Sequence, residues 1–235
     1  MPLTSTSPER SLAGVAMLQS IPPSDLEALA RRCGWRRYAA GQEILEYHDE
    51  TRDVFFLVSG TVRVSIYSMS GKVVTFRDIG AGSTFGEFAA IDGQPRSASV
   101  LALSDATVAA MPPGLFWEVL RKYPEVAAEN LKHLTAQIRL LSERIYEFST
   151  LAVKNRIHAE LLRLARDNLT AENQASIAPA PTHAEIAARV STHREAVTRE
   201  LSHLAKEGLV ERREGALVIF DVDRLEEMVR EVLGE

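Results

Sequence analysis

One segment of the 235-residue sequence, residues 85–100, concentrates side chains that suit a small anion. Gly86 has no side chain, so the backbone there can approach a ligand closely. Arg96 offers a planar fork of N–H groups that matches the oxygens of a phosphate, and Ser97 adds a hydroxyl donor beside it. These residue types in this order predict an anion pocket built on this segment.

Glu87 extends the chemistry of this segment beyond a phosphate. Its carboxylate can accept hydrogen bonds from sugar hydroxyls, and with Phe88 it can start a short helical turn whose amides attract an anion. An arginine and a carboxylate on either side of a turn therefore suit a ligand that has both a phosphate and a ribose. The alternative is a salt bridge between Glu87 and Arg96 across a hairpin. The ordered run of Gly, Glu, small residue, Gly, Pro, Arg and small residue favours the pocket.

A second candidate site lies near the C-terminus, where the pattern is typical of a helix-turn-helix. A short helix is predicted over 184–190, with Thr182 as N-cap and Glu185 completing a capping box. A turn at Ser191-Thr192 leads into a second helix over 193–207, after which Gly208 is expected as the C′ residue. The short turn and the shared apolar side of both helices predict helix-turn-helix geometry.

Three side chains in the N-terminal half of the second helix are candidates for reading DNA bases. Arg194 and Arg199 can each bind guanine O6 and N7, and Glu195 can accept from cytosine N4. A solvent-exposed Glu195–Arg199 pair at i,i+4 spacing is the alternative, and both interpretations can hold together. Charge is balanced over residues 182–214, so specificity would come from a few side chains.

The elements around these sites change type along the chain. Short helices are predicted over 12–32, with Ser24 as an N-cap, after a polar tail at 1–11. Residues 43–111 read as β-rich runs at 54–58, 61–66, 73–76, 97–101 and 106–110. Turns separate them at Ser59-Gly60, Ser70-Gly71, Gly80-Ala81-Gly82 and Asp92-Gly93. Short strands at this spacing predict an antiparallel sandwich or barrel.

A long helix should follow the β region. Its apolar residues alternate spacings of three and four, which predicts a coiled-coil seam; they are Leu131, Leu134, Ile138, Leu141, Ile145, Phe148 and Ala152. The sequence has no second long heptad segment to cover this seam, so we expect a homodimer with a two-fold axis along the helix. An amphipathic helix packed within its own domain is the alternative. Beyond a hinge near Ala152-Val153 we expect a helix over 154–168, a loop over 168–181, and a hairpin over 209–220 that turns at 213–215.

Composition bounds the function classes. A length of 235 residues allows two domains. A single cysteine, Cys33, excludes a disulfide framework and a protein-held iron–sulfur cluster. No apolar run is long enough to span a bilayer, and the polar N-terminus lacks a signal-peptide core, so we expect a cytoplasmic chain without a membrane partner. The net charge of −5 argues against broad coating of DNA, although not against a small reading element.

The segment at 85–100 resembles the phosphate-binding cassette of cyclic-nucleotide-binding domains, in the form Gly-Glu-x-Ala … Pro-Arg-x-Ala-x-Val. The resemblance implies that Glu87 binds the ribose 2′-hydroxyl and that Arg96 binds the cyclic phosphate. Ser97, Gly86 and Ala98 would assist at the phosphate. The resemblance also implies a jelly-roll-like β-barrel over the β-rich region.

The cassette, the long helix and the later pattern Glu-Ile-Ala-x-x-Val … Arg-Glu-x-Val-x-Arg-x-Leu together resemble the Crp/Fnr family of transcription regulators, in particular its cAMP receptor protein branch. The resemblance implies an α+β chain with a cyclic-nucleotide-binding barrel at 12–125, a dimerisation helix and hinge at 126–152, and a winged helix-turn-helix domain at 153–235. Partners would be double-stranded DNA with a TGTGA-type palindrome, a second copy of the chain, and RNA polymerase.

The same resemblance assigns roles on the DNA. Arg194 and Arg199 would contact guanines and Glu195 a cytosine-bearing pair. Further DNA contacts would come from the turn and the wing; they are Thr182, Thr192 and His193 for phosphates, and Arg212 and Arg213 in the wing hairpin.

Several positions differ from the pattern of the cAMP receptor protein branch. In that branch a Thr-Ser pair on the dimer helix contacts the adenine, whereas this chain has Leu141-Ser142. The strand facing the base carries Phe76 and then Arg77, where a small polar residue is common. The hydroxyl of Ser97 can also serve a guanine amino group. We therefore expect cAMP, cGMP or both as the allosteric ligand, and no metal.

The expected mechanism is a population shift in which bound ligand touches the dimer helix through Ser142 and Gln137 and sets two recognition helices one DNA turn apart. Alternatives are a Crp/Fnr regulator with another ligand or with constitutive activity, and a cyclic-nucleotide module that regulates a partner protein. A haem or iron–sulfur sensor is disfavoured because Cys33 stands alone and His183, His193 and His203 do not share a helix face. The sequence has no nucleophile elbow, Walker loop or metal-ligand spacing, so we predict no enzyme.

Overall fold

The computed structural model describes residues 10–67, 73–171 and 173–234. Contacts divide the chain into two units, Met1–Ile138 and Arg139–Glu235, and each is described by itself. The predicted polar tail at 1–11 lies outside the described residues except for Arg10 and Ser11, and the turn predicted at Ser70-Gly71 lies wholly outside them.

The described strands of the first unit are β1 (Gly34–Tyr38), β2 (Glu43–Leu45), β3 (Val54–Ser59), β4 (Thr61–Tyr67), β5 (Val73–Gly80), β6 (Thr84–Phe85), β7 (Ser99–Ala102) and β8 (Ala106–Met111). They form two four-stranded sheets, in the orders β1-β8-β3-β6 and β2-β7-β4-β5. All of the pairings are antiparallel, as expected for the jelly-roll-like barrel. The first unit therefore has the predicted β architecture.

The strand bounds differ from the prediction where turns or pairing partners were not recognised. β5 continues to Gly80, four residues past the predicted end, because it stays paired with β4 as far as Gly80, with one register shift at Val64-Ser65. The strand predicted from residue 97 begins only at Ser99. β1 was not predicted; it pairs with β8 through five register positions.

Helices and a 3₁₀ turn pack on the barrel. They are the 3₁₀ helix Ala16–Leu18, α1 (Pro23–Arg32), α2 (Glu87–Asp92), α3 (Pro113–Lys122) and the first part of α4 (Pro124–Thr150). The prediction of Ser24 as an N-cap is wrong, because Pro22 is the N-cap and the helix already begins at Pro23. Proline suits the first helical position, where its missing N–H would have no partner.

Two apolar clusters hold the first unit together. One lies between the sheets, where the Phe55 and Phe85 rings stack with centroids 5.2 Å apart. The other joins the helices to the first sheet through residues such as Phe56 and Phe116, both fully buried. Burial of large side chains on this scale is the main force that stabilises a small domain.

The second unit contains the last turns of α4, followed by α5 (Val153–Arg166), β9 (Leu169–Ala171), β10 (Gln174–Ile177), α6 (His183–Arg189), α7 (Arg194–Lys206), β11 (Val210–Arg213), β12 (Ala216–Ile219) and α8 (Val222–Leu233). The sheet order is β11-β12-β10-β9. The predicted loop at 168–181 is wrong, because β9 and β10 form within it and β10 pairs with β12. The predicted hairpin is confirmed as β11 and β12.

The long helix is continuous from Pro124 to Thr150, and the break before α5 falls at Leu151-Ala152, beside the predicted hinge. The boundary between the two units lies earlier in the chain, inside α4 after Ile138. The predicted three-part division at 12–125, 126–152 and 153–235 stays a prediction. Within the described ranges, no helix is long and apolar enough to cross a membrane.

Candidate functional site

Gly86 is the corner of the predicted anion pocket. β6 ends at Phe85, Gly86 takes a left-handed conformation with φ of 78°, and α2 begins at Glu87 as the sequence predicts. A Cβ atom on Gly86 would lie 2.9 Å from Arg96 Nη1 and 3.3 Å from the carbonyl oxygen of Asp53. Glycine is therefore required here both by the backbone conformation and by the close approach of Arg96.

Arg96 is held in one orientation by protein oxygen atoms. Its Nη1 donates to the Gly86 carbonyl (2.8 Å), Nη2 to the Asp53 carbonyl (2.9 Å) and Nε to Thr51 Oγ1 (3.1 Å). The side chain is 2% exposed, and its guanidinium lies 5.6 Å from the centre of the Phe55 ring. Each terminal nitrogen keeps one further N–H, so the fixed fork can still bind an anion. Burial lowers the pKa of Arg96, but an arginine stays charged at neutral pH.

Glu87 is as deeply buried as Arg96, at 2% exposure, but it faces the long helix. Gln137 Nε2 donates to Glu87 Oε1 (3.1 Å), and His133 Nε2 lies 3.6 Å from the same oxygen. The hairpin salt bridge between Glu87 and Arg96 is therefore not formed. Burial by itself would raise the pKa of the Glu87 carboxyl. Hydrogen bonds from His133, the backbone and Gln137, together with the charge of His133, outweigh burial and hold the pKa below its ordinary value.

The remaining cassette residues lie at the approach to β7. Ser97 is exposed and Ala98 half-buried, in the bend between Arg96 and the first strand residue. Phe88 is half-buried in α2. The structure thus brings Gly86, Glu87, Arg96 and Gln137 together and leaves the hydroxyl of Ser97 accessible beside them.

The residues predicted to face the base lie on two different elements. Phe76 and Arg77 are half-buried in β5. Leu141 and Ser142 are exposed on α4 and belong to the second unit. Contacts of the pair on α4 with a ligand therefore stay predictions.

The helix-turn-helix forms as predicted. Thr182 Oγ1 accepts from the Glu185 amide (3.2 Å), and the Glu185 carboxylate accepts from the Thr182 amide (2.7 Å), which completes the capping box. α6 and α7 pack through buried apolar residues, among them Ile186, Val190 and Val197. The bounds differ by one residue at each end: α6 is His183–Arg189 where 184–190 was predicted, and α7 is Arg194–Lys206 where 193–207 was predicted, with His193 as its N-cap.

Most of the predicted DNA-contacting side chains are open to solvent. Arg194, Glu195 and Arg199 are exposed on α7, and among the described residues Glu195 and Arg199 make no ion pair with each other. The other exposed positions are Thr182, His193, Arg212 and Arg213, whereas Thr192 is half-buried. Arg212 donates to the Pro181 carbonyl, and Arg213 pairs with Glu211 at 3.1 Å.

A buried charge network behind the helix-turn-helix was not predicted. The carboxylate of Glu160 accepts from Arg144 (2.9 Å), Arg163 (3.1 Å) and Arg189 (3.3 Å). Arg163 also forms a two-bond pair with Glu147, at 2.6 and 3.1 Å. The network links the end of α4, α5 and α6 within the second unit. Glu160 and Arg163 have the i,i+3 spacing of a pair on one helix, but Arg144 and Arg189 lie 16 and 29 residues from Glu160, so spacing carried no signal for those contacts.

Within the described ranges, no three His, Cys, Asp or Glu side chains are arranged to hold a metal ion. The two candidate sites are the anion pocket of the first unit and the exposed face of α7.

Two protein families match the chain, one in each unit. Residues 35–123 match the cyclic nucleotide-binding domain, and residues 155–228 match the Crp-like helix-turn-helix domain. The first match contains the anion pocket, and the second contains α6, α7 and the hairpin.

Relatives extend this similarity to nearly the whole chain. The cyclic AMP receptor protein of Thermus thermophilus is 30% identical over 92% of this chain and 98% of its own length. The cAMP-activated global transcriptional regulator Vfr of Pseudomonas aeruginosa is 26% identical over 88% of this chain and 98% of its own. A solved structure of a mutant of CooA from Carboxydothermus hydrogenoformans covers 97% of this chain and 98% of that one, with a TM-score of 0.78 and 23% identity. That structure supports the fold alone.

Proposed function

Since this chain belongs to the Crp/Fnr family of transcription regulators, we propose that it is a homodimer whose binding to a TGTGA-type palindrome responds to cAMP, cGMP or both. The observation that carries the proposal is Arg96. Its guanidinium is buried and oriented by three oxygen acceptors, and it still has two N–H groups for an anion. We expect the protein in the cytoplasm, with DNA and RNA polymerase as its partners.

The proposed ligand pose runs from Arg96 to Glu87. The cyclic phosphate would bind the fork of Arg96, with help from Ser97 and from the backbone at Gly86, Phe88 and Ala98. The ribose 2′-hydroxyl would donate to the Glu87 carboxylate. The base would then lie toward Phe76 and Arg77. Leu141 and Ser142 of α4 are further proposed ligand contacts.

Glu87 also supplies a route from ligand to helix. Its Oε1 accepts from Gln137 of α4. A ribose hydroxyl that binds Glu87 would therefore either share the carboxylate with Gln137 or displace the Gln137 amide from it. A ligand shifts a conformational equilibrium only through such differential contacts. We propose that exchange of partners at Glu87, together with contacts to Ser142, favours the α4 arrangement that reads DNA.

The proposed dimer interface is the apolar seam of α4. Leu131, Ile138 and Ile145 are 64%, 64% and 66% exposed, and Leu141 is 41% exposed. Large apolar side chains repeated along one helix face are typical of an interface between subunits.

Sedimentation equilibrium tests the interface. An Ile138→Glu, Ile145→Glu double variant should be monomeric, because two charges would be buried in the seam. The matched control is Ala136→Glu with Ser149→Glu, which adds the same charges at exposed positions off the seam. A double seam variant that stays dimeric would remove α4 as the interface.

On the DNA, Arg194 and Arg199 would each read a guanine and Glu195 a cytosine. Thr182, Thr192 and His193 would contact phosphates, and Arg212 and Arg213 would lie along the backbone as a wing. An Arg199→Ala variant should lose about 1–3 kcal/mol of discrimination against a changed half-site base. Its binding to unrelated DNA should change much less, because phosphate contacts carry that affinity.

A mobility-shift assay tests the whole proposal. The wild-type protein should bind a TGTGA-type palindrome with cAMP or cGMP and bind it weakly without nucleotide. Arg96→Ala should bind without any response to nucleotide. Nucleotide-independent binding by the wild type would point to a constitutive regulator or another ligand. An absence of specific DNA binding under all conditions would point to a module that controls a partner protein.

A further inference from the structure

We propose that Arg144 is a positioning residue that couples α4 to the helix-turn-helix, so that DNA binding responds to nucleotide through its two hydrogen bonds. Because it takes DNA binding to depend on a bound nucleotide, this role rests on the proposed function. It adds the side chain that carries the dependence from the long helix to α6, without contact between Arg144 and either ligand.

The stretch of α4 that belongs to the second unit buries charged side chains and exposes an apolar one. Over 139–150, all of which the structure describes, the buried side chains are those of Arg144 and Glu147, whereas Ile145 is exposed. Phe148 is half-buried against an arginine of α5. Among the described residues, the apolar core of the second unit contains no side chain of α4. Charged contacts therefore take the place of core packing in holding this stretch to the unit.

Arg144 makes two contacts that end on different helices. Its Nη2 donates to the Glu160 carboxylate of α5 (2.9 Å), and its Nη1 donates to the main-chain carbonyl of Arg189 in α6 (2.7 Å). Both bonds are buried, and Arg144 is 8% exposed. One planar guanidinium thus fixes α4 against two helices at once, and its fork geometry makes both contacts directional.

The carbonyl of Arg189 lies where the first helix of the helix-turn-helix ends. Arg189 is the last residue of α6, Val190 is its C-cap, and Ser191 in the turn has a left-handed φ of 52°. Carbonyl groups in the last turn of a helix lack intrahelical donors and carry partial negative charge, so a buried cation is favourable there. The recognition helix α7 begins at Arg194. A displacement of Arg144 therefore acts on the turn that directs this helix.

The rest of the network stays joined when Arg144 is removed. Glu160 also accepts from Arg163 (3.1 Å) and Arg189 (3.3 Å), which keeps α5 and α6 connected. The network described above has three arginines and two glutamates, so the loss of Arg144 leaves two of each. The second unit can therefore fold without the Arg144 contacts, whereas the direction of α4 relative to α6 depends on them.

The proposed ligand acts on the same helix. Exchange of partners at Glu87 engages Gln137, which lies seven residues before Arg144 in the continuous α4. Helix shifts of about 1–2 Å are common in regulatory transitions. Such a shift exceeds the range of N–H···O distances, about 2.7–3.2 Å, so the bonds of Arg144 must either move α6 with α4 or break.

Arg144→Met in the full-length protein tests the coupling. Fluorescence anisotropy gives the affinity for the TGTGA-type palindrome with and without saturating cAMP or cGMP, and the ratio of the two affinities is the nucleotide response. The wild-type response should lie in the range of ordinary allosteric coupling, about 5- to 150-fold. In Arg144→Met it should fall to within about twofold of unity, although calorimetry should show that the variant still binds nucleotide.

Arg166→Met is the matched control. Arg166 lies on α5, and its side chain is 57% exposed and pairs with Glu226 of α8 at 3.2 Å. The control therefore removes the same type of side chain from an ion pair of the second unit that does not involve α4. It should keep the wild-type response. A response that survives in Arg144→Met, or that Arg166→Met loses equally, would overturn the role of Arg144.

Thermal unfolding separates positioning from folding. Arg144→Met should lower the melting temperature by no more than about 8 °C, because one carbonyl loses its donor while the remaining charges stay balanced. A larger fall together with loss of all DNA binding would make Arg144 a structural residue and refute the coupling.

Hydrogen–deuterium exchange of the wild type tests the coupling without a variant. The amides of Val190 and Thr192 donate to carbonyls of α6 at 3.1 and 3.0 Å, so both report on the turn beside Arg189. Saturating nucleotide should change their protection together with that of 139–150. A change confined to 139–150 would overturn the role of Arg144 and leave the proposed function standing. Wild-type DNA binding that ignores both nucleotides would instead overturn the proposed function.

Discussion

Removal of the Glu160 carboxylate should destabilise the second unit selectively. Glu160 is 1% exposed and accepts from Arg144, Arg163 and Arg189. In Glu160→Ala, Arg163 keeps its pair with Glu147, but Arg144 and Arg189, each 8% exposed, lose their ion pairs with Glu160. Removing one member of a buried ion network costs about 3–5 kcal/mol. With a urea m-value of about 2 kcal/mol/M, the unfolding midpoint of this unit should fall by about 2 M.

The two tryptophans make the assay specific for each unit. Trp35 donates to the Ala30 carbonyl and Trp117 to the Ala90 carbonyl, so both report on the first unit. The unfolding midpoint measured by tryptophan fluorescence should therefore be unchanged. The circular dichroism signal of the second unit's helices should be lost at a lower urea concentration than in the wild type.

Glu227→Ala is the matched control, because Glu227 is an exposed carboxylate on α8. It should change the stability by no more than about 0.5 kcal/mol. If Glu160→Ala moves the circular dichroism midpoint by less than about 0.5 M, or moves the fluorescence midpoint equally, the buried network does not stabilise the second unit as argued.

Three more outcomes follow from single residues. Gly86→Ala should weaken nucleotide binding at least about tenfold and lower the free energy of unfolding by roughly 1–3 kcal/mol. The reasons are that the added Cβ would lie 2.9 Å from Arg96 Nη1 and that φ at this position is positive. The control Gly114→Ala, where no atom lies within 4 Å of the added Cβ, should change neither nucleotide binding nor stability. The pKa of the Glu87 carboxyl is lower in the folded than in the unfolded protein. The ionised carboxylate therefore stabilises the fold fully above the unfolded-state pKa, and this stabilisation is lost as the pH falls through the folded-state pKa. The melting temperature without ligand should drop between about pH 5 and 3, and it should drop less steeply in Glu87→Gln. Burial raises the pKa of Cys33 to about 11, so a thiol reagent at about pH 8 should label it only after unfolding, and labelling within seconds in the folded state would contradict this.

The sequence predicts local features of the fold well and distant pairings poorly. Alternation and glycine turns are sufficient for most of the barrel strands, and the capping box at Thr182 is a local signal that the structure confirms. By contrast, residues 168–181 look like a loop because they are rich in Ala, Asn, Thr and Pro. β10 forms there because β12, about 40 residues later, supplies its hydrogen bonds, and β9 in turn pairs with β10.

The same distinction applies to the pocket. Gly86, Glu87 and Arg96 are predicted because they lie in one ordered segment. Their supporting partners are not, because Thr51 and His133 lie about 45 residues before and after the residues they contact. Such partners are brought together by tertiary folding, and a single sequence shows only that they are polar.

The exposed seam of α4 has a consequence for how DNA binding depends on the concentration of the chain. In the proposed homodimer, the amount of paired protein follows the square of the concentration of single chains, so mass action sets how much can bind DNA. A palindrome is read fully only by two chains at once. Near the dimer dissociation constant, a twofold change in the abundance of the chain should therefore change promoter occupancy by more than twofold at constant nucleotide. The gene that encodes the chain would then be a second input to the switch, alongside its ligand.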